Sequence, residues 1–302
     1  MDINRLIRKF RPHPHGWLCR SRSGEVSLLK HFPYKDIKRA TDSFHRIIYG
    51  NSRCVAYKAR FCDGDIALVK EVKGFDQRDG MFEKELQLLV KLHHRHILGL
   101  RGFSAGKKRL LVFNNIENGS LKERLNDPLK TPLNWRTRLR IASGVTAALE
   151  YLLCFNSPPT YHVSLNSGSI MLDQNFTPKL SDVGLLSSLG NYAAMPNDSC
   201  SEDSVDQLCG NIIFQLGVLI LELITGQSSE GSTDLIQWIK EYRFGSSIHK
   251  MIDPDLGNSY NSRELKSLLA IARLCINSGS SSKASVMQIF RYIQKKVDRQ
   301  CN

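Results

Sequence analysis

No apolar run in this 302-residue chain approaches the roughly 20 residues needed to span a bilayer. The longest, around Gly217-Val218-Leu219-Ile220-Leu221, is interrupted by Glu222, so an integral membrane protein is not expected. The N-terminus lacks the apolar segment of a secretory signal, and Asp2 rather than glycine follows Met1, which leaves no site for myristate. A cytoplasmic location is the resulting expectation. Zinc-finger chemistry is also missing. The eight cysteines (Cys19, Cys54, Cys62, Cys154, Cys200, Cys209, Cys275, Cys301) include no CxxC pair and no histidine at metal-binding spacing, which reads as a set of reduced thiols. No internal repeat is found, and Ser278 to Ser282 is the one low-complexity stretch.

What is present is a globular composition. At 41% hydrophobic and 24% charged residues, the chain can bury one large core or two coupled lobes. Its formal charge of +13 is unevenly spread. Arg5, Arg8, Lys9, Arg11, Arg20, Arg22 and Lys30 stand against only Asp2 and Glu25, interleaved with Leu6, Ile7, Phe10, Trp17 and Leu18. Residues 1–31 therefore read as a flexible basic arm, either a solvated leader or a segment that lies on the anionic inner leaflet, at about 1 kcal/mol per basic residue near the surface. Palmitate on Cys19 would add to the second alternative. No nucleic-acid partner is expected.

Tyr34 to Thr41 has the pattern of a short helix, followed by strand-like alternation from Cys54 to Lys58. Asp63-Gly64-Asp65 reads as a hairpin turn into a second strand, Ile66 to Val72. Phe82, Leu86 and Leu89 recur at helical spacing between Met81 and Leu92, and Arg109 to Phe113 reads as a strand. After Asn118-Gly119-Ser120 the style changes. Trp135 to Leu153 carries an amphipathic helical pattern, Gly217 to Ile224 is apolar almost all round, and Glu264 to Ile276 and Ala284 to Val297 supply further helices. The order is a small sheet with one helix, a short connection, then a larger helical region.

Four stretches then make a resemblance specific: Phe32-Pro33-Tyr34-Lys35, Lys91-Leu92-His93-His94-Arg95-His96-Ile97-Leu98, Asn118-Gly119-Ser120-Leu121 and Leu221-Glu222-Leu223-Ile224-Thr225-Gly226. In this order they resemble the kinase domains of plant receptor-like kinases and receptor-like cytoplasmic kinases, over roughly residues 32 to 297. The resemblance implies an α+β, bilobal protein-kinase-like fold. A β-sheet N-lobe with one helix would occupy 32–113, a hinge 114–118, a mainly helical C-lobe 119–297 and a tail 298–302.

Kinases position phosphates, magnesium and an acceptor hydroxyl, and each part of that machinery has a residue pattern. The glycine-rich loop needs glycine so that backbone can approach phosphate. Anchored on Tyr57-Lys58, the three glycine positions hold Tyr49, Asn51 and Cys54. The family's phosphate-binding lysine corresponds to Lys70, and the alanine that roofs the adenine corresponds to Leu68, which either fills the pocket or is accommodated as an ordinary strand residue. Registering the strand on Ala67 instead would put Val69 at the lysine position. Glu85 matches the glutamate that pairs with the lysine. The catalytic-loop pattern HRDxKxxN appears as His162-Val163-Ser164-Leu165-Asn166-Ser167-Gly168-Ser169, so the resemblance implies that Ser164 replaces the base, Asn166 the lysine and Ser169 the second-metal ligand. Asp182-Val183-Gly184 stands for DFG and keeps one metal-binding aspartate, Asp182. Val183 would join Leu89, Leu100 and His162 in the family's apolar stack. The aspartate expected at the start of the central C-lobe helix falls at Ile212. The segment from Asp182 to Gly217 lacks a recognisable peptide platform. Ser199, Ser201 and Ser204, beside Glu202 and Asp203, read either as phosphorylation sites or as a solvated acidic loop.

The expectation is a pseudokinase, catalytically inactive, that serves as scaffold, decoy or allosteric partner of an active receptor-like kinase, with ATP and magnesium not required. The alternatives are residual phosphotransfer or an ATP-binding switch built on Lys70, Glu85 and Asp182, and a basic membrane-surface adaptor.

Overall fold

The computed structural model describes residues 11–13, 16–20, 26–50, 54–73, 81–105, 107–154, 161–185, 202–228, 233–241, 251–257, 259–277, 288 and 290–294. They divide into two compact units, one within Met1–Glu117 and Gly184–Ala194, the other within Asn118–Val183 and Met195–Asn302.

The first unit is built on an eight-stranded sheet of order β1-β2-β3-β7-β8-β6-β5-β4. Its strands are β1 (Arg11–His13), β2 (Gly16–Arg20), β3 (Val26–His31), β4 (Ile47–Gly50), β5 (Cys54–Arg60), β6 (Ile66–Val72), β7 (Leu100–Ala105) and β8 (Arg109–Phe113). The first three correct the flexible arm. Val26–His31 runs parallel to β7, with Lys30 opposite Gly102 and His31 opposite Phe103, because β7 has a free edge and a glycine where the chains meet. A Cβ at Gly102 would stand 2.0 Å from the Lys30 carbonyl oxygen, so only glycine permits this approach. Residues 1–10, and with them Arg5, Arg8 and Lys9, lie outside the described residues.

Helix α1 (Tyr34–Ala40) packs on β5 and ends at Thr41, whose hydroxyl donates to the Ile37 carbonyl at 2.8 Å. Asp42, Ser43 and Phe44 then take positive φ of 54°, 55° and 69°, a left-handed turn that costs about 1 to 2 kcal/mol per residue. It delivers the Phe44 ring edge-on to Tyr57 at 5.3 Å. Alternation along β6 sends Ala67 and Val69 into the core with Ile37, Ala40, Tyr57, Ala59, Leu110 and Val112, which leaves Leu68 and Lys70 on the other face. Helix α2 (Met81–Lys91) buries Phe82, Glu85, Leu86 and Leu89 on one face.

The second unit is mainly helical: α3 (Leu121–Asn126), α4 (Trp135–Cys154), α5 (Glu202–Thr225), α6 (Thr233–Glu241) and α7 (Ser262–Asn277). Short strands β9 (Tyr161–Val163), β10 (Ile170–Leu172) and β11 (Pro178–Leu180) follow α4, with β10 and β11 antiparallel, while of β12 (Val183–Leu185) only Val183 belongs to this unit. Ser120 caps α3 by accepting the Glu123 N–H at 3.2 Å. Helix α5 is central and apolar because most of its faces are covered: Ile212, Ile213, Leu216, Leu219, Ile220, Leu221, Leu223 and Ile224 are all buried. At Gly217 a Cβ would come within 2.8 Å of Cys275 Cβ on α7, so the glycine sets how closely these helices pack. Helix α5 begins at Glu202. That overturns the acidic loop for Glu202, Asp203 and Ser204, which are helical, while Ser199 and Ser201 lie outside the described residues.

One buried ion pair ties the unit together. Arg138, 2% exposed, donates from Nε to the Leu133 carbonyl, from Nη1 to the Leu223 carbonyl and from Nη2 to Asp253 Oδ2 at 2.6 Å. Each of the three guanidinium nitrogens donates, which is what makes a buried charge tolerable. Gly226, with φ of 69°, leaves the room that Asp253 occupies.

Candidate functional site

In the first unit the site is organised around Lys70, which is 5% exposed. The ladder of β5 with β6 puts Ala56 opposite Lys70 and Lys58 opposite Leu68, and β8 puts Phe113 opposite Leu68. The Lys70 ammonium lies 5.5 Å from the ring centroid of Phe113 and 5.5 Å from that of Tyr49. Tyr49 arrives there because β4 is irregular between Ile47 and Tyr49, which sets Tyr49 opposite Ala56. Tyr49 thus places an aromatic face against the lysine. Leu68 is 2% exposed on the same side of β6, and Cys54, 5% exposed, starts β5 opposite Val72. Asn51 lies outside the described residues. Glu85 is 7% exposed on α2.

On the core side of the same sheet, Tyr57 donates its hydroxyl to Glu71 Oε2 at 2.8 Å, and Lys108 donates to the same oxygen at 2.8 Å. Burial and the neighbouring Glu71 carboxylate push the Tyr57 phenol up to about 12.

In the second unit the loop after β9 is closed by its own side chains. Ser169 N–H donates to Asn166 Oδ1 at 2.8 Å, while Asn166 N–H donates to Ser169 Oγ at 3.0 Å. The Ser169 hydroxyl in turn donates to the Ser164 carbonyl at 2.7 Å and lies 2.9 Å from the Asn166 carbonyl. Ser164 N–H donates to the Asp182 carbonyl at 3.1 Å, and Ser181 Oγ donates to the Ser169 carbonyl at 2.8 Å. Asn166 and Ser169 are thus bonded to each other. The side chain of His162 lies outside what is described.

Ile212 is 1% exposed within α5 and has no polar atom to offer the loop. One turn further along α5, Gln215 Oε1 accepts the Leu165 N–H at 2.8 Å. Sequence reasoning missed Gln215. Its helical spacing from Ile212, three residues on, puts both on one face and was the available signal. No group of three or more His, Cys, Asp or Glu side chains that could hold a metal occurs among the described residues.

A largely antiparallel sheet with one long helix, a second unit of helices around an apolar central helix, and a lysine strand and a catalytic-type loop in their usual chain order define the protein-kinase class. The chain belongs to the protein tyrosine and serine/threonine kinase family, matching it over residues 48–205. It is 33% identical over 297 residues to a probable receptor-like protein kinase of Arabidopsis thaliana, covering 90% of this chain and 44% of that protein. It is 31% identical over 277 residues to the probable serine/threonine-protein kinase PBL21 of the same plant, covering 82% of this chain and 71% of PBL21. The chain thus spans less than half of the first relative. Among solved structures it shares its fold with the pseudokinase domain of BIR2, an immune regulator of the RLK/Pelle family, with a TM-score of 0.74 at 23% identity over 99% of this chain and 93% of that one. The pseudokinase DRIK1 bound to ENMD-2076 gives a TM-score of 0.65 at 22% identity, over 88% and 97%.

Proposed function

We propose that this chain is a kinase-fold protein without phosphoryl-transfer activity, which acts by binding as a scaffold, decoy or allosteric partner of an active receptor-like kinase. The observation that carries the reading is the self-closed loop from Ser164 to Ser169. A serine stands where the family needs a carboxylate to accept the acceptor's proton. The Asn166 side-chain oxygen and the Ser169 hydroxyl are engaged within the loop rather than by a phosphoryl group or a metal. Tyr49 and Leu68 crowd the lysine side of the nucleotide position, which argues against ATP and magnesium as required cofactors. A cytoplasmic location at the inner face of the plasma membrane, with anionic lipid contacted through residues 1–30, belongs to the same proposal. So does the absence of a nucleic-acid partner.

Incubation of the purified chain with radiolabelled ATP, magnesium and a general protein substrate tests it. Transfer no greater than that of Lys70→Ala is expected, and transfer abolished by that substitution would overturn the reading.

A second reading, an ATP-binding switch with residual activity, is favoured by the burial of both Lys70 and Glu85 in the first unit and by the retention of Asp182. A ligand at 100 times its dissociation constant adds about 2.7 kcal/mol of stability, so MgATP should raise the thermal midpoint if this reading holds. An unchanged midpoint removes it and leaves the first reading standing. The basic membrane-surface adaptor is tested by sedimentation with anionic vesicles before and after deletion of residues 1–30. Unchanged binding excludes it.

A further inference from the structure

On the first unit, away from Lys70, a cavity of about 350 Å³ opens between α1 and the β5–β6 turn. Its apolar wall is the tilted pair Phe32 and Phe61, whose ring centroids are 5.3 Å apart. Lys30, Arg39 and Arg60 border it, all three exposed. None of the three has a carboxylate within ion-pair distance among the described residues. The Lys30 ammonium lies 4.8 Å from the Phe32 ring, Arg39 Nη1 reaches only the Cys62 sulfur at 3.8 Å, and no contact engages the Arg60 guanidinium.

The acidic groups on the same wall have other work. Asp65 is held by the Arg101 guanidinium, whose hydrogen bonds keep its carboxyl below the usual range, with the field of Lys30 adding to that effect. Asp63 Oδ1 closes the hairpin turn by accepting the Asp65 N–H at 3.0 Å. Asp36 sits in the first turn of α1, where the helix dipole favours a negative charge. With the Asp65 charge met by Arg101, Lys30, Arg39 and Arg60 outnumber the two remaining carboxylates of the lining, Asp36 and Asp63, and the balance open to a ligand is positive.

We propose that this cavity is a binding site for a phosphorylated aromatic side chain, phosphotyrosine in a partner polypeptide. Two guanidinium forks and an ammonium match the three terminal oxygens of an aryl phosphate, and the Phe32–Phe61 wall matches its ring. The cavity's size is at the lower end of those that enclose small ligands, suited to one side chain rather than a folded surface. The site is independent of the nucleotide position and of whether the chain transfers phosphate.

Fluorescence anisotropy of a labelled phosphotyrosine peptide, with the full chain as titrant, tests the assignment. Saturable binding is expected, displaced by free phosphotyrosine and not by tyrosine or by equal inorganic phosphate. The Arg39→Gln/Arg60→Gln variant should weaken it about tenfold or more. Lys35→Gln/Lys38→Gln removes the same charge from exposed positions of α1 outside the cavity and should leave binding unchanged; circular dichroism confirms that both variants fold. Equal weakening by the two variants, displacement by inorganic phosphate at the same concentration, or binding only to anionic vesicles and not to the peptide would each overturn the proposal.

Discussion

The Tyr49 ring lies 5.5 Å from the ammonium of Lys70, so the residue that the family resemblance aligns with the first glycine of the phosphate loop faces the residue it aligns with the phosphate-binding lysine. A cation facing an aromatic quadrupole is stabilised by about 0.5 to 2 kcal/mol. An incoming triphosphate would have to displace that contact and the bulk of Leu68 together.

Removing both obstacles should therefore raise the affinity for nucleotide. Tyr49→Gly combined with Leu68→Ala is expected to give a larger rise in thermal midpoint with MgATP than the parent chain shows. The baseline should drop, since Leu68→Ala in a buried strand costs about 2 to 5 kcal/mol. Differential scanning fluorimetry with and without nucleotide reads both terms.

Removing one member of the Arg138–Asp253 pair leaves a buried charge without its partner. Arg138→Ala or Asp253→Ala should each lower stability by about 3 to 5 kcal/mol, and the double substitution by less than the sum of the two. Urea denaturation of the four proteins completes the cycle. Additive losses would show that the pair does not act as one.

Gln215→Leu should expose the value of the loop brace. With its acceptor gone, the Leu165 N–H is left unsatisfied at a cost of about 1 to 3 kcal/mol. Amide exchange at Leu165 should rise well before global unfolding, and unchanged exchange would refute the assigned role.

Gly217→Ala pushes a methyl to within 2.8 Å of Cys275 Cβ and 3.0 Å of the Ala272 carbonyl oxygen, atoms that do not rotate away. A loss of about 1 to 3 kcal/mol is expected from such overpacking, measured as a shift in denaturation midpoint.

Tyr57 supplies a pH dependence at the alkaline end. Its phenol is raised in the folded state from 10.0 to about 12, so the protonated form is the one that folding favours. The stability it contributes is complete below about 10 and is lost as pH rises toward about 12. Tyr57→Phe should flatten stability over that window, and phenolate absorbance should show one late-titrating tyrosine that disappears in the variant.

Local pattern made several elements legible. Ile66–Val72 and Arg109–Phe113 occur at their expected bounds, and Met81–Lys91 and Trp135–Cys154 within one residue of them, because alternation and helical spacing are properties of neighbouring residues. The strands before His31 were not legible. Nothing local marks Val26–His31 as paired, since its partner Gly102 is distant in the chain and its basic side chains read as solvated. The helical start of α5 at Glu202 was masked in the same way by an acidic, serine-rich composition that suits a loop equally well.

What the sequence determined alone is which chemical groups exist at each position: a serine at 164, an asparagine at 166 and a tyrosine at 49 have fixed donors, acceptors and charge whatever surrounds them. Tertiary structure decided what those groups do. Gln215 braces Leu165 from 50 residues away, Arg138 meets Asp253 across 115, and three cations gather at one cavity. Such contacts arise only when packing of the apolar faces brings remote segments together, and no window of local sequence contains them.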